Sequence, residues 1–446
     1  MADFQLIRDV FDLTDPDRNT LLGVTLDEAR ARVRSGNADA VREIGGHFAL
    51  VAREDNTVRM ARSLQVPMRH FIVKRHDGPA LVVAHRIDEI YSWLQARGFD
   101  DQFHPSYTRM VPAHHVQSIE LVGCPDPVPT AHRFFSPRRE TLPPNIDVIG
   151  KAYVETLSAE IEGWLTTVPR TESIGVCFSG GVDSGAVFLV LHHAFLKLGM
   201  NPARLKAFTL SVDGKGKDLE QARRFLSETG CELFHEVVEV SSQDLDLRET
   251  IRVVEDYKPL DVQAATMMLA LCRGIRSTYP DWVHLIDGDG GDENLKDYPI
   301  EENPELTIRS VLNNTMLYQE GWGVDSIKHS LTYSGGLSRG CTRSQAPAAR
   351  FGFKGFSPFC LPNVIEVAEG IPFIELTGWD HHRLYGLKGK VVAAGVKAVT
   401  GVSMPVFEKR RFQHGALTQS SFDGFFPEQE RIYRQTFQSI FDELTH

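Results

Sequence analysis

No CxxC pair occurs among the six cysteines of this 446-residue chain (Cys124, Cys177, Cys231, Cys272, Cys341, Cys360), and no Cys/His spacing suits zinc. A zinc centre and a disulfide framework are therefore set aside, and a reduced, cytoplasmic protein is expected. No Lys/Arg-rich block breaks a net charge of −11, so nucleic acid is not an expected partner. Long apolar runs are missing too. The stretch around Leu189–Leu191 falls far short of the ~20 residues that span a bilayer, and no membrane association is expected. The opening MADFQLIRDVFDLTD mixes acids with apolar residues, unlike a signal peptide. Repeats and low-complexity tracts are absent as well. What remains is an ordinary globular composition, 42% hydrophobic and 24% charged, long enough for two or three domains of roughly 100–200 residues.

The texture changes along the chain. Residues 1–145 read as short alternating strands at His47–Ala52, Val58–Ala61, Met68–Val73, Ala80–Ala84 and Val116–Val122, separated by turn signals such as Glu54-Asp55-Asn56. Arg138–Asn145, with Pro143 and Pro144, reads as a linker. Apolar residues at helical spacing follow (Tyr153, Leu157, Ile161, Leu165). Beyond 173 the pattern becomes strand–loop–helix: strands at Ser173–Phe178, Leu205–Val212, Glu232–Val240 and Trp282–Ile286, helices at Ser184–Leu198, Leu219–Thr229 and Ala264–Arg276. That alternation predicts a parallel sheet covered by helices on both faces. The fold class expected is α/β: a β-rich, sandwich-like N-terminal domain (1–145), then a parallel-sheet domain (149–446) with a helical C-terminal part.

Ser179-Gly180-Gly181-Val182-Asp183-Ser184 lies between an expected strand and an expected helix, where anion sites form. Two glycines let backbone N–H groups approach phosphate, and the helix contributes its positive end. The Ser179 and Ser184 hydroxyls can donate further hydrogen bonds. Asp183 repels phosphate, so it makes sense as a ligand for Mg²⁺ bridging phosphates. The segment is neither a Walker A loop nor a dinucleotide fingerprint. It resembles the PP-loop motif SGGxDS of ATP pyrophosphatases, which cleave ATP between the α and β phosphates.

A second cluster, Asp287-Gly288-Asp289-Gly290-Gly291-Asp292-Glu293, again follows a short apolar run. Four carboxylates so close repel one another unless cations sit among them. The segment resembles the Gly-Glu-Gly-Ser-Asp-Glu motif of asparagine synthetases. Asp218-Leu219 with Ala222 and Phe225, His235-Glu236, and Ser357-Pro358-Phe359 with Leu361 resemble further pieces of that family. So does Glu408-Lys409-Arg410-Arg411-Phe412-Gln413-His414-Gly415, which resembles its RQKEQFSDG stretch. The resemblance implies Asp289 and Lys409 as catalytic groups. It implies Ser179, Gly180, Gly181, Val182, Asp183, Ser184, Val212 and Gly288 as ATP- and pyrophosphate-binding positions, with Asp183 and Asp292 as Mg²⁺ ligands. Lysine at 409 suits a transition state with charge on phosphorus.

At the N-terminus, Gly45–Val51 and Val83–Ile87 resemble strands of the family's glutaminase domain. The glutaminase nucleophile there is a cysteine exposed as residue 1. Here Met1 is followed by Ala2 and Asp3, and the first cysteine is Cys124, so a degenerate domain without glutamine hydrolysis is expected, as in β-lactam synthetases and lasso peptide cyclases. Lys354 stands where the family carries a Glu, suggesting a carboxylate-bearing substrate or a Lys354–Asp289 ion pair. The activity expected is an ATP- and Mg²⁺-dependent ligase joining a small-molecule or peptide carboxylate to ammonia or an amine, with a homodimer expected from the strand edges. A PP-loop sulfur transferase using Cys341 or Cys360, and an inactive ATP-binding scaffold, stay open beside it. His114 and His115, adjacent in sequence, read as structural rather than metal ligands.

Overall fold

The computed structural model describes residues 6–122, 127–214, 216–298, 300, 307–313, 341–407, 415–416 and 419–445. Lys409 and the stretch around it lie outside these residues. The N-terminal part contains two four-stranded sheets. One orders Asp9–Asp12, Ala80–Ala84, Arg69–Val73 and Arg109–Met110; the other orders Thr130–Arg133, His115–Glu120, Thr57–Arg62 and Ala49–Glu54. Period-2 alternation decides how they stack. Leu81 and Val83 point into a cluster with Val58, Met60 and Ile119 of the other sheet. Ala80, Val82 and Ala84 point the other way, under the helix Ile87–Gln95. A second outer layer is the helix Leu26–Ser35, started by a Thr25/Glu28 capping box and packed through Ala29 and Val33. The expected strand at His47–Ala52 forms as two pieces, Gly45–His47 and Ala49–Glu54.

Beyond Asn145, which caps it, helix α1 (Ile146–Leu165) leads into a five-stranded sheet. Its strands are β1 (Ile174–Cys177), β2 (Leu205–Val212), β3 (His235–Val240), β4 (His284–Ile286) and β5 (Lys354–Phe356). All pairings are parallel, in the order β3-β2-β1-β4-β5. The connecting helices are α2 (Val182–Lys197), α3 (Lys217–Glu228), α4 (Leu247–Val254) and α5 (Pro259–Thr278). A short helix α6 (Gly291–Leu295) follows β4, and α7 (His381–Thr400) and α8 (Glu430–Thr445) belong to the C-terminal part. Ile174 and Val176 of β1 pack with α1, α2 and α7 on one face. Phe208, Leu210 and Leu285 pack with α5 on the other. In such a sheet the crevice opens where connections leave in opposite directions, here between the C-terminal ends of β1 and β4.

Helix α8 ties the two parts together. Its Tyr433, Phe437, Ile440 and Phe441 join Phe71 and Val82 of the N-terminal sheet and Ile87 of the helix over it to Ile251 of α4 and Val262 of α5 in one apolar cluster. Among the described residues no helix is long and apolar enough to cross a membrane.

Candidate functional site

The two segments singled out by sequence meet at that crevice. After β1 the chain turns through Gly180, at φ 72°, into the uncapped end of α2. A side chain at Gly180 would collide with the backbone of Ala222, so α3 presses directly on the loop. Ser184 Oγ bonds the Ser179 backbone N–H at 3.3 Å, and the two hydroxyls lie 3.2 Å apart. No side chain among the described residues caps the first turn of α2, which leaves its N–H donors for an anion. Val212, at the end of β2, is buried among the apolar residues of the α5 face and pairs with Val240 of β3.

After β4 the chain runs along the glycine-rich loop Ser179–Ser184 at van der Waals range. A Cβ on Gly288 would stand 2.9 Å from the Asp183 Cβ and the Ser184 nitrogen, and one on Gly291 would overlap the Asp183 carboxylate. These glycines bring Asp183 beside Asp292, at the start of α6. Between the two acids sits a cation that sequence reading missed. The Lys388 ammonium contacts Asp183 Oδ2 and Asp292 Oδ1, with Asp297 Oδ2 at 3.5 Å. Burial works against that charge, but Asp183, Asp292 and Asp297 more than offset it and hold Lys388 well above its ordinary pKa. The signal was legible in principle. In α7, Lys388 shares the buried stripe with Leu384, Leu387 and Val391, where an apolar residue belongs.

Asp287 is buried and accepts from Ser357 Oγ at 2.9 Å and from the Asp289 backbone N–H at 3.0 Å. Burial pushes its carboxyl up to about 6. Burial and the neighbouring Asp287 charge push Asp289 up to about 8, against the pull of Arg343. Arg343, in a π-turn at Cys341–Gln345, is itself held by Asp261 of α5 at 2.9 Å. Cys360 donates to the Asp289 carbonyl at 3.4 Å, and burial drives its thiol well above the ordinary range, which suits packing rather than nucleophilic work.

Three expectations need placing. Lys354 pairs in register with His284 at the start of β5, is exposed, and lies at the end of the sheet away from Asp289. The proposed Lys354–Asp289 ion pair is therefore absent, because strand register puts the two at opposite ends. Lys409 falls outside the described residues, although Gly415, just after it, is close enough to Asp218 that a Cβ would overlap that carboxylate. His114 is buried edge-on against Phe135 at 5.0 Å, a core histidine.

Among the described residues no group of three His, Cys, Asp or Glu converges as a metal site. Asp183 and Asp292 nevertheless converge on one ammonium, so the pair accepts a cation, and one or two carboxylates plus substrate phosphates is how Mg²⁺ is commonly held.

Fold and site together define a doubly wound α/β protein with a glycine-rich loop, Ser179–Ser184, and a facing carboxylate-rich loop at its switch point. Residues 169–334 match the family model described as asparagine synthase, which supports an asparagine synthetase-like, ATP-dependent amide ligase of the PP-loop type. The match takes in both loops and ends before β5, Lys388 and Lys409, and it does not reach the N-terminal sheets. No curated protein matches the chain.

Proposed function

We propose that this chain adenylates a carboxylate with ATP, releases pyrophosphate, and passes the acyl group to ammonia or a substrate amine. The observation that carries this reading is the meeting of Asp183 and Asp292 on one cation, directly in front of an open phosphate loop. The substrate carboxylate attacks the α-phosphorus of ATP, and the bond to the β-phosphate oxygen breaks. The nitrogen then attacks the acyl carbon, AMP leaves, and the surplus proton goes to Asp289, whose raised pKa suits a base near neutral pH. Ser179, Ser184 and the first N–H groups of α2 hold the pyrophosphate. Held by Asp183 and Asp292, Mg²⁺ would supply positive charge between the phosphates. Lys388, displaced from its carboxylates, is placed to meet a phosphate oxygen, and Lys409 is assigned the transition-state charge.

We assign residues 1–145 to a degenerate glutaminase-like domain and 149–446 to the synthetase domain. Among the described residues the N-terminal sheets hold no cysteine, which supports a nitrogen source other than glutamine hydrolysis by this chain. The test is pyrophosphate release from MgATP across a panel of carboxylates with ammonium or simple amines. Carboxylate-dependent release, abolished in Asp183→Ala and Lys409→Ala, is expected. Failure of MgATP to bind in calorimetry would sink the proposal.

A further inference from the structure

The Asp287–Asp292 loop is braced from one side by the segment 356–360. Ser357 Oγ bonds Asp287, Cys360 Sγ bonds the Asp289 carbonyl, and the Phe359 carbonyl accepts from Asn294 Nδ2 at 2.9 Å. A Cβ on Gly290 would stand 2.7 Å from Cys360 Sγ, so the loop and the brace are in direct contact.

The other side of this brace is covered by the N-terminal sheets. Cys360 lies in one apolar cluster with Phe48, Leu64, Ala113 and Phe134. Its thiol also meets the side chain of Gln65, which is 2% exposed. His47, on the strand Gly45–His47, packs its ring 5.4 Å from that of Phe356. Its imidazole faces the Ser357 backbone, with neither ring nitrogen in ordinary hydrogen-bond geometry. Phe356 is in turn stacked on Trp164 at 4.6 Å, which fixes the far edge of the segment. A buried amide and imidazole cost desolvation at such an interface, where apolar side chains would pack without that cost. Both side chains lie against the two residues, Ser357 and Cys360, that touch the carboxylate loop.

We propose that Gln65 and His47 are positioning residues: through Cys360 and Ser357 the N-terminal sheets set the carboxylate loop in the geometry that binds metal–nucleotide. The proposal rests on the reading of Asp292 as a Mg²⁺ ligand. It gives the N-terminal part a function in the synthetase reaction that needs no glutaminase chemistry. Removing the Gln65 amide lets Cys360 and the Asp289 carbonyl shift, and the loss falls on Mg²⁺-dependent binding rather than on the phosphate loop.

The experiment is calorimetric titration of the full-length protein with ATP, in Mg²⁺ and in EDTA, for wild type, Gln65→Met, Cys360→Ala and the double variant. Each single substitution is expected to weaken MgATP binding by roughly 2- to 30-fold, the span of indirect coupling through packed side chains. Metal-free ATP binding and thermal stability stay near wild type. The double variant is expected to be no worse than the more affected single one, because both act on one contact. Wild-type MgATP affinity in both single variants would overturn the proposal, as would equal weakening with and without Mg²⁺. Should Gln65→Met not fold, Gln65→Asn shortens the same amide by one methylene and is read in the same way. A wild type that fails to bind MgATP would overturn the functional reading and this inference with it. Wild-type binding with unaffected variants would overturn this inference alone.

Discussion

Replacing Lys388 by methionine shortens the side chain by one atom and removes the ammonium charge shared by Asp183, Asp292 and Asp297. Removing one partner of a fully buried ion pair costs roughly 3–5 kcal/mol, because the remaining charge is left without compensation. Exposed pairs are worth about 0–1 kcal/mol. Here the lysine and Asp297 are 5% and 9% exposed, but Asp183 and Asp292 are 22% and 33% exposed, so water screens part of the loss. An intermediate cost of about 2–4 kcal/mol follows. With ~2.1 cal/mol/K of unfolding entropy per residue, a 446-residue chain unfolding as one unit loses about 1 °C per kcal/mol, hence about 2–4 °C in Tm. The sign of the Mg²⁺ response is the sharper test. In the wild type a bound metal would compete with the Lys388 ammonium for two carboxylates; in Lys388→Met that competitor is gone. Thermal scans with and without Mg²⁺, nucleotide absent, should show the variant less stable in EDTA and more strongly stabilised by metal. A raised lysine pKa contributes stability that is complete below the unfolded value of ~10.4 and is lost only at higher pH. The difference between variant and wild type should therefore be flat from pH 6 to 9. Equal Tm in EDTA, or an equal Mg²⁺ shift, would refute the shared-cation argument.

Other perturbations separate the parts of the site. Burial raises Asp287 to about 6 and burial with the Asp287 charge raises Asp289 to about 8, so the folded protein keeps protons that the unfolded chain has lost. Buried His47 and His70, held down to about 4, oppose that fall below the ordinary histidine value of ~6.5, so metal-free stability should fall from about 6.5 to about 8, and Asp289→Asn should flatten that fall in pH-resolved melts. Gly291→Ala forces a methyl group into the Asp183 carboxylate; a cost of about 1–3 kcal/mol and weakened MgATP binding are expected in melts and calorimetry. Lys354→Ala, at an exposed position on the far end of β5, should stay within about 0.5 kcal/mol of wild type and leave pyrophosphate release unchanged.

The parallel sheet was legible because each of its first four strands is a short apolar run bounded by turn residues. Leu205–Val212 forms over the bounds that its apolar residues mark, and α2 starts two residues before the expected Ser184. What the pattern hid was β5: Lys354-Gly355-Phe356 is three residues long with one buried side chain, too short for any period to register. The N-terminal helix Leu26–Ser35 was hidden differently. Its buried face is only Ala29 and Val33, among charged and polar neighbours, yet its Thr25/Glu28 cap was readable.

The site divides along the same line. Asp183 and Asp292 stood out in the sequence because they lie in glycine-rich segments whose spacing carries its own chemistry. Lys388, Ser357, Gln65 and His47 lie in regular elements or between them, one or a few at a time, and reach the loops only through the fold. A lysine in α7 acquires meaning when the helix lays it between two loops roughly a hundred and two hundred residues upstream. Lys354 shows the converse: aligned by sequence it stood at an acyl site, and one parallel register, His284 against Lys354, moved it to the other end of the sheet. Motif residues fix the reaction class from local chemistry, whereas the charge balance of the site is set by side chains that only packing brings in. A variant designed from the motifs alone would leave Lys388 in place and misjudge how strongly the two carboxylates can hold any cation other than its ammonium.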